Sequence, residues 1–81
     1  MTREEVSDIV RTRIGSLLDA PADFAETDSL ARHGLDSLSS VELTLLLEDS
    51  FSIVFEDDEL TFDNFGSVGS IVTMVHSKVG A

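Results

Sequence analysis

Residues 34–51 read Gly34-Leu35-Asp36-Ser37-Leu38-Ser39-Ser40-Val41-Glu42-Leu43-Thr44-Leu45-Leu46-Leu47-Glu48-Asp49-Ser50-Phe51. The stretch opens on a glycine suited to a turn, passes through a short acid able to cap a helix, and keeps apolar residues at helical spacing as far as Phe51. Asp36 as N-cap sets Ser37 at the first helical position; Ser39 with Glu42 offers a competing capping box a few residues on. In either frame Ser37 stands at a loop-to-helix junction, where a hydroxyl is placed to be modified and presented. At about 100° per residue, Leu43, Leu46, Leu47 and Phe51 fall on one side of this helix and Leu38, Val41 and Leu45 on the other. The first face is a core stripe. The second is framed by Glu42, Glu48 and Asp49, which resist full burial. A helix buried on both sides of a bundle would also carry two apolar stripes, but the carboxylates argue against it. An apolar stripe framed by acids and adjoining a serine predicts a docking face, where apolar contact supplies affinity and charge supplies steering.

Outward from that helix, the rest of the chain predicts an all-α fold, a small four-helix bundle with a long loop between helices one and two and a short third helix. Thr2 and Glu5 make a capping box, after which Val6, Ile9, Val10, Ile14, Leu17 and Leu18 recur at helical spacing, so helix one runs from Thr2 or Arg3 to Leu18. Arg13 falls on the same stripe and is expected to lay its stem along the edge with its charge in water. Pro21, with Asp19 and Asp23 beside it, ends the pattern. The loop that follows reaches Gly34, roughly 16 residues, a length unusual in a compact domain unless it does something. Phe24, Leu30 and Leu35 are its apolar anchors. Ser52-Ile53-Val54-Phe55 has no second strand to pair with and reads as an extended, buried connection. Acids at Glu56–Glu59 precede a one- or two-turn helix over Leu60–Phe65 that Gly66 stops, and Ile71, Val72, Met74, Val75 and Val79 mark a last helix closing at Gly80.

Composition narrows the function. With 81 residues, 42% of them hydrophobic, the chain suffices for one small domain over residues 1–81 and leaves no room for a deep walled pocket, so function is expected at the surface. No cysteine is present, which excludes a disulfide framework, a thiol nucleophile and thiolate metal sites, and fits a reducing cytoplasm. The acidic N-terminus does not resemble a signal peptide, and no apolar run approaches the ~18 residues of a membrane span. A soluble, cytoplasmic monomer without membrane association is expected. The formal net charge is −11, and between Arg32 and Lys78 nine acids stand with no basic residue. Such a field repels phosphate backbones, disfavouring nucleic acid, and attracts basic protein surfaces.

Catalytic readings fare poorly. His33, Asp36 and Ser37 include the residue types of a hydrolytic triad, yet neighbours at one turn do not line up nucleophile, base and orienting acid in series, and no G-x-S-x-G elbow is present. The acids of Glu56–Asp63 lack the spacing of a calcium loop, and His33 and His76 are isolated, so no metal site is expected. Met74 and the five phenylalanines read as core.

Gly34-Leu35-Asp36-Ser37-Leu38, followed by Val41-Glu42-Leu43 and closed by Glu48-Asp49-Ser50-Phe51, resembles the acyl carrier protein family over nearly the whole chain. The resemblance implies a non-enzymatic carrier whose Ser37 receives a 4′-phosphopantetheine arm from coenzyme A through a phosphopantetheinyl transferase. A thioester on the arm's thiol then holds the acyl group, which supplies the reactive sulfur this chain lacks. By the same resemblance, Asp36 helps the transferase position its metal-bound coenzyme A. Leu38, Val41, Glu42, Leu45, Glu48 and Asp49 would meet acyl-loading, condensing or acyl-transfer enzymes with basic docking surfaces. Ile53-Val54-Phe55-Glu56 stands where fatty-acid carriers often place a proline after the apolar residue, and Leu60–Val68 is more similar to stand-alone carriers of polyketide and nonribosomal peptide biosynthesis. Leu35 replaces a second glycine usual in peptidyl carriers, which favours an acyl cargo and keeps an aminoacyl one open. A cofactor-free acidic adaptor is the alternative.

Overall fold

A computed structural model of the chain describes residues 1–80, all but the side chain of Phe62. Its helices are α1 (Arg3–Leu18), α2 (Ser37–Phe51), α3 (Phe62–Phe65) and α4 (Val68–Val79), with no strand among the described residues. This is the all-α bundle with a long first connection and a short third helix that the sequence predicts.

Each start follows from local chemistry. Thr2 Oγ1 accepts the Glu5 backbone N–H at 3.1 Å while the Glu5 carboxylate accepts from the Thr2 backbone N–H at 3.2 Å, the reciprocal capping box. Thr61 caps α3 and Ser67 caps α4, each accepting a backbone N–H three residues on. α1 ends at Asp19 and α2 at Ser52, both left-handed at φ 54°.

α1 packs against α2 and α4, and α3 against α4. Val6, Val10 and Ile14 of α1, Leu43 and Leu47 of α2, and Val68, Ile71, Val72 and Val75 of α4 are fully buried. The connections contribute Leu30, Leu35 and Phe55, α3 contributes Phe65, and no polar residue is buried among the described residues. Phe24, Phe51 and Met74 are partly buried against this core; the expectation for Phe62 lies outside the described side chains.

The structure departs from the sequence reading in five places, the first being the connection after α2: of the segment expected to be buried, Phe55 is buried but Val54 is 74% exposed. The long connection contains a 3₁₀ turn over Leu30–His33, and the acids of Glu56–Glu59 form a second at Asp57–Glu59 rather than the start of α3, which begins at Phe62. Such turns rest on local i to i+3 bonds and leave no long periodic signal. α4 starts at Val68, so Gly69 lies inside it. There the backbone of the first connection comes close: Gly69 N–H donates to Glu26 O at 3.0 Å, and a Cβ at Gly69 would stand 3.3 Å from that oxygen. Arg13 is half-buried, and its Nε donates to Ser50 Oγ at 2.7 Å, tying α1 to α2 instead of standing in water.

The connection between α1 and α2 is held by more than its apolar anchors. Arg11 Nη1 donates to the carbonyls of Ala22 at 2.8 Å and Phe24 at 2.6 Å, and Leu30 N–H donates to Gly66 O at 2.9 Å. Phe24 stacks on His33 with ring centroids 4.1 Å apart. The loop is therefore a fixed wall leading to Gly34.

Candidate functional site

Gly34 has φ +102°, in the left-handed region where an L side chain is strained, and it reverses the chain after the Leu30–His33 turn. That reversal lets Leu35 bury, its N–H donating to Leu30 O at 3.1 Å, while Asp36 and Ser37 emerge exposed on the next residues. Asp36 is the N-cap of α2: its Oδ1 accepts the Ser39 backbone N–H at 2.8 Å. Hydrogen bonding to Ser39, through the backbone first and the side chain second, holds the Asp36 carboxyl below its ordinary value, so it is ionised at neutral pH. The competing capping box at Ser39 and Glu42 does not form, because Ser39 is already the third helical residue. Ser37 is exposed at the first position of α2, and no intramolecular hydrogen bond engages its hydroxyl among the described residues.

Along α2 the apolar residues divide as their angles dictate. Leu43 and Leu47 are fully buried, whereas Leu38, Val41 and Leu45 are 69%, 57% and 62% exposed. Numbers this high decide against a helix covered on both sides. Glu42 and Asp49 are exposed beside the outward stripe. Glu48 differs from them: it is half-buried, and its Oε2 accepts the Phe55 N–H at 2.8 Å. One of its oxygens is thus committed to holding the connection after α2.

Ser37 and Asp36 also line a groove of about 460 Å³ between the start of α2, the Leu30–His33 turn and the segment Leu60–Gly66. Leu30, Leu35 and Phe65 are its buried apolar residues, and Ser40 and Thr44 of α2 and Thr61 opposite bring hydroxyls to it. Sequence reasoning passed over this groove. The spacing of Ser37, Ser40 and Thr44, three and four residues apart, does mark one helix ridge, but nothing local says that Leu60 and Phe65 face it. The far segment is fastened by Lys78, whose Nζ lies 2.8 Å from Glu59 Oε1 and donates to Val54 O at 3.1 Å. The Glu56 backbone N–H, then Lys78, hold the Glu59 carboxyl below its ordinary value. Among the described residues, no group of three or more His, Cys, Asp or Glu is placed to hold a metal ion, and no helix is long and apolar enough to cross a membrane.

A short helical domain that presents one free serine hydroxyl at a helix start, with an apolar, acid-edged helix face behind it, is built as a carrier. The phosphopantetheine attachment site family matches residues 8–75. The chain is 35% identical to acyl carrier protein 3 of Ralstonia nicotianae, across 100% of this chain and 93% of that one. It is also 35% identical to the acyl carrier protein of Clostridium acetobutylicum, covering 93% and 92% of the two. The D-alanyl carrier protein of Leuconostoc citreum is 33% identical over 96% of each chain. The chain belongs to the acyl carrier protein family: it is a carrier of acyl or aminoacyl groups, not an enzyme, and its cofactor is a covalent 4′-phosphopantetheine. Carriers of this kind work with a phosphopantetheinyl transferase and with acyl-handling enzymes.

The residues present fit that group. A phosphodiester needs an accessible hydroxyl, and the first turn of a helix adds unpaired N–H groups and the positive end of the dipole beside the phosphate. Ser37 meets both requirements, and the nearest carboxylate, Asp36, is turned to Ser39.

Proposed function

We propose that Ser37 is the attachment residue and that the chain delivers its cargo by docking the outward face of α2 to successive enzymes. The single observation that carries this reading is the exposed, unbonded Ser37 hydroxyl at the head of an apolar stripe that the core leaves uncovered. In the modifying step Ser37 Oγ forms a bond to the pantetheine-bearing phosphorus of coenzyme A as the diphosphate P–O bond breaks. Adenosine 3′,5′-bisphosphate leaves, and the serine proton passes to a base on the transferase. The attached group supplies a thiol on a flexible limb, where an acyl or aminoacyl group is held as a thioester. Asp36 fixes the helix start and offers the transferase a carboxylate next to the acceptor hydroxyl. Leu38, Val41 and Leu45 make the apolar contact, Glu42 and Asp49 steer basic surfaces, and Glu48 adds charge with the oxygen that the Phe55 bond leaves open.

We infer a place in polyketide or related secondary-metabolite biosynthesis, on the likeness of Leu60–Val68 to stand-alone carriers of that kind and on the absence from Ile53–Glu56 of the proline that fatty-acid carriers often place there. The D-alanyl carrier relatives, 33% and 31% identical, favour a second reading with an aminoacyl cargo. A monomer in the cytoplasm, where coenzyme A is at hand, completes the proposal.

Incubation with coenzyme A and a broad-range transferase tests it by intact mass. The wild-type chain is expected to gain one phosphopantetheinyl group and Ser37→Ala none. An unmodified wild-type chain would leave the acidic adaptor as the reading.

A further inference from the structure

The chain has five basic residues, and the fold gives four of them partners. Arg3 pairs with Glu26 at 2.9 Å, Arg11 donates to two loop carbonyls, Arg13 donates to Ser50 Oγ, and Lys78 Nζ lies 2.8 Å from Glu59 Oε1. Arg32 is the exception: it is exposed, and among the described residues neither an ion pair nor a hydrogen bond engages its guanidinium. Its backbone, by contrast, is fixed. Arg32 N–H donates to Ser29 O at 3.2 Å, Gly34 N–H to Ala31 O at 3.2 Å and Leu35 N–H to Leu30 O at 3.1 Å, so the turn that carries the cation closes on itself. Ser37 follows that closed turn by two residues, at most about 7 Å of chain, a distance comparable with the length of an arginine side chain. Asp36 lies between the two in sequence and does not take the cation, since its Oδ1 accepts the Ser39 N–H at 2.8 Å. A free guanidinium beside a carboxylate that is already bonded suits an anion that arrives later. The cofactor supplies one: a phosphodiester on the Ser37 hydroxyl adds negative charge next to Asp36, within a net charge of −11, and Arg32 is positioned to offset it.

We propose that Arg32 is a positioning residue for the phosphopantetheine arm: its guanidinium donates to the phosphodiester on Ser37 and holds the root of the arm toward the Leu30–His33 turn. The proposal rests on Ser37 as attachment residue. A guanidinium fork matches two phosphate oxygens at once, whereas a lysine in its place would offer a point charge. A carboxylate on a docking enzyme shares the anionic chemistry that this cation recognises. The phosphodiester is favoured over it because it is tethered to the same chain two residues beyond the turn, which gives it a high effective concentration whether or not an enzyme is bound. Holding the phosphate narrows the directions in which the first bonds of the arm point, and leaves the rest of the limb free to swing.

Arginine Nε–H signals are recorded by NMR for the unmodified protein, for the same protein with an equimolar amount of inorganic phosphate, and for protein loaded from coenzyme A by a transferase, with each loading checked by mass. Loading is expected to shift the Arg32 signal and to slow exchange of its proton with water about two- to fivefold, the range that a solvent-exposed ion pair gives. The signals of Arg3, Arg11 and Arg13 should stay in place. The phosphorus signal of the loaded protein should move in Arg32→Gln and take an intermediate position in Arg32→Lys, which keeps the charge and loses the fork; circular dichroism shows that each variant folds. Raising sodium chloride from ~0.05 M to ~0.5 M should weaken the Arg32 shift in the loaded wild type. Equimolar free phosphate should leave Arg32 unmoved, and an equal shift with it would make Arg32 an unspecific anion contact and overturn the positioning role. An Arg32 signal indifferent to loading, or a phosphorus signal indifferent to Arg32→Gln, would also overturn the proposal; if that variant then raises the KM for modification, the cation belongs to a carboxylate on the enzyme. A wild-type chain that gains no mass overturns the assignment of Ser37 and takes the role of Arg32 with it, whereas a chain that gains mass with unmoved signals overturns the role of Arg32 alone.

Discussion

At the junction of turn and helix, Asp36 caps α2 and stands next to the Ser37 hydroxyl, the proposed attachment point. Its pKa is depressed by the bonds to Ser39, so the cap's contribution to stability is complete above the ordinary carboxylate value of 3.8 and disappears as pH falls through the lower folded value. Glu5 and Glu59 are shifted the same way by Thr2 and by Glu56 with Lys78, so the whole chain loses stability in acid, and Asp36 must be isolated by substitution. Asn caps nearly as well and does not titrate. Asp36→Asn is therefore expected to melt close to wild type at neutral pH and to lose less on acidification, while Asp36→Ala is less stable at neutral pH and converges on wild type in acid. Thermal melts followed by circular dichroism from pH ~7 to ~2.5 check this, and an Asp36→Asn curve parallel to wild type throughout would remove the cap from the account. Asp36 and Ser37 were legible in the sequence because capping is written within four residues. The partners of Arg11 and Arg13 were not: Arg13 meets Ser50, 37 residues away, and no local rule links them.

At the scale of the helix, α2 separates a buried apolar face from an exposed one by angle alone. Leu47 is fully buried, so Leu47→Ala removes apolar contact and leaves a cavity, an expected loss of about 2–5 kcal/mol in chemical denaturation. Leu45, 62% exposed, should change stability by under about 0.5 kcal/mol on truncation yet slow acyl transfer to partner enzymes. If Leu45→Ala destabilised the fold as Leu47→Ala does, the outward face would belong to the core. Glu48 shows what periodicity cannot see. Its position frames the outward stripe, and the sequence placed it among docking acids, but the Phe55 backbone bends back to its carboxylate after the left-handed Ser52. Glu48→Ala leaves a nearly buried N–H without its acceptor, an expected loss of about 1 kcal/mol, and Glu48→Gln, which keeps an acceptor oxygen, should restore most of it. Equal losses in the two variants, read from denaturant midpoints, would count against that bond. The two apolar stripes were legible because they are periodic; the 3₁₀ turns were not, being too short to leave a periodic signal, nor was the groove, which arises where the Leu30–His33 turn meets the segment before α4.

Across the whole molecule the charges are sorted by task. Arg3 pairs with Glu26 at 2.9 Å, Arg11 holds two loop carbonyls, Arg13 holds Ser50 and Lys78 holds Glu59, so four of the five basic residues are spent inside the architecture. Along the exposed side of α2 stand the carboxylates Glu42 and Asp49, with the exposed Arg32 in the turn before the helix, within a net charge of −11. Two consequences of opposite sign follow from screening, because the Debye length falls from about 10 Å at 0.1 M to about 3 Å at 1 M salt. Self-repulsion within the folded chain weakens, so its Tm should rise with added sodium chloride. Attraction to a basic enzyme surface weakens as well, so the KM for modification by the transferase should rise severalfold between ~0.05 M and ~0.5 M salt with kcat little changed. Glu42→Gln with Asp49→Asn removes two exposed charges from the face proposed to dock while leaving the core and Ser37 intact. That double variant should start with a higher KM and show a flatter dependence on salt, while its Tm is no lower than wild type's. A wild-type KM indifferent to salt, or a double variant with the wild-type slope, would show that these carboxylates do not steer the encounter; a Tm that falls with salt would show that the cationic pairs, not repulsion among the acids, dominate the electrostatics of the fold.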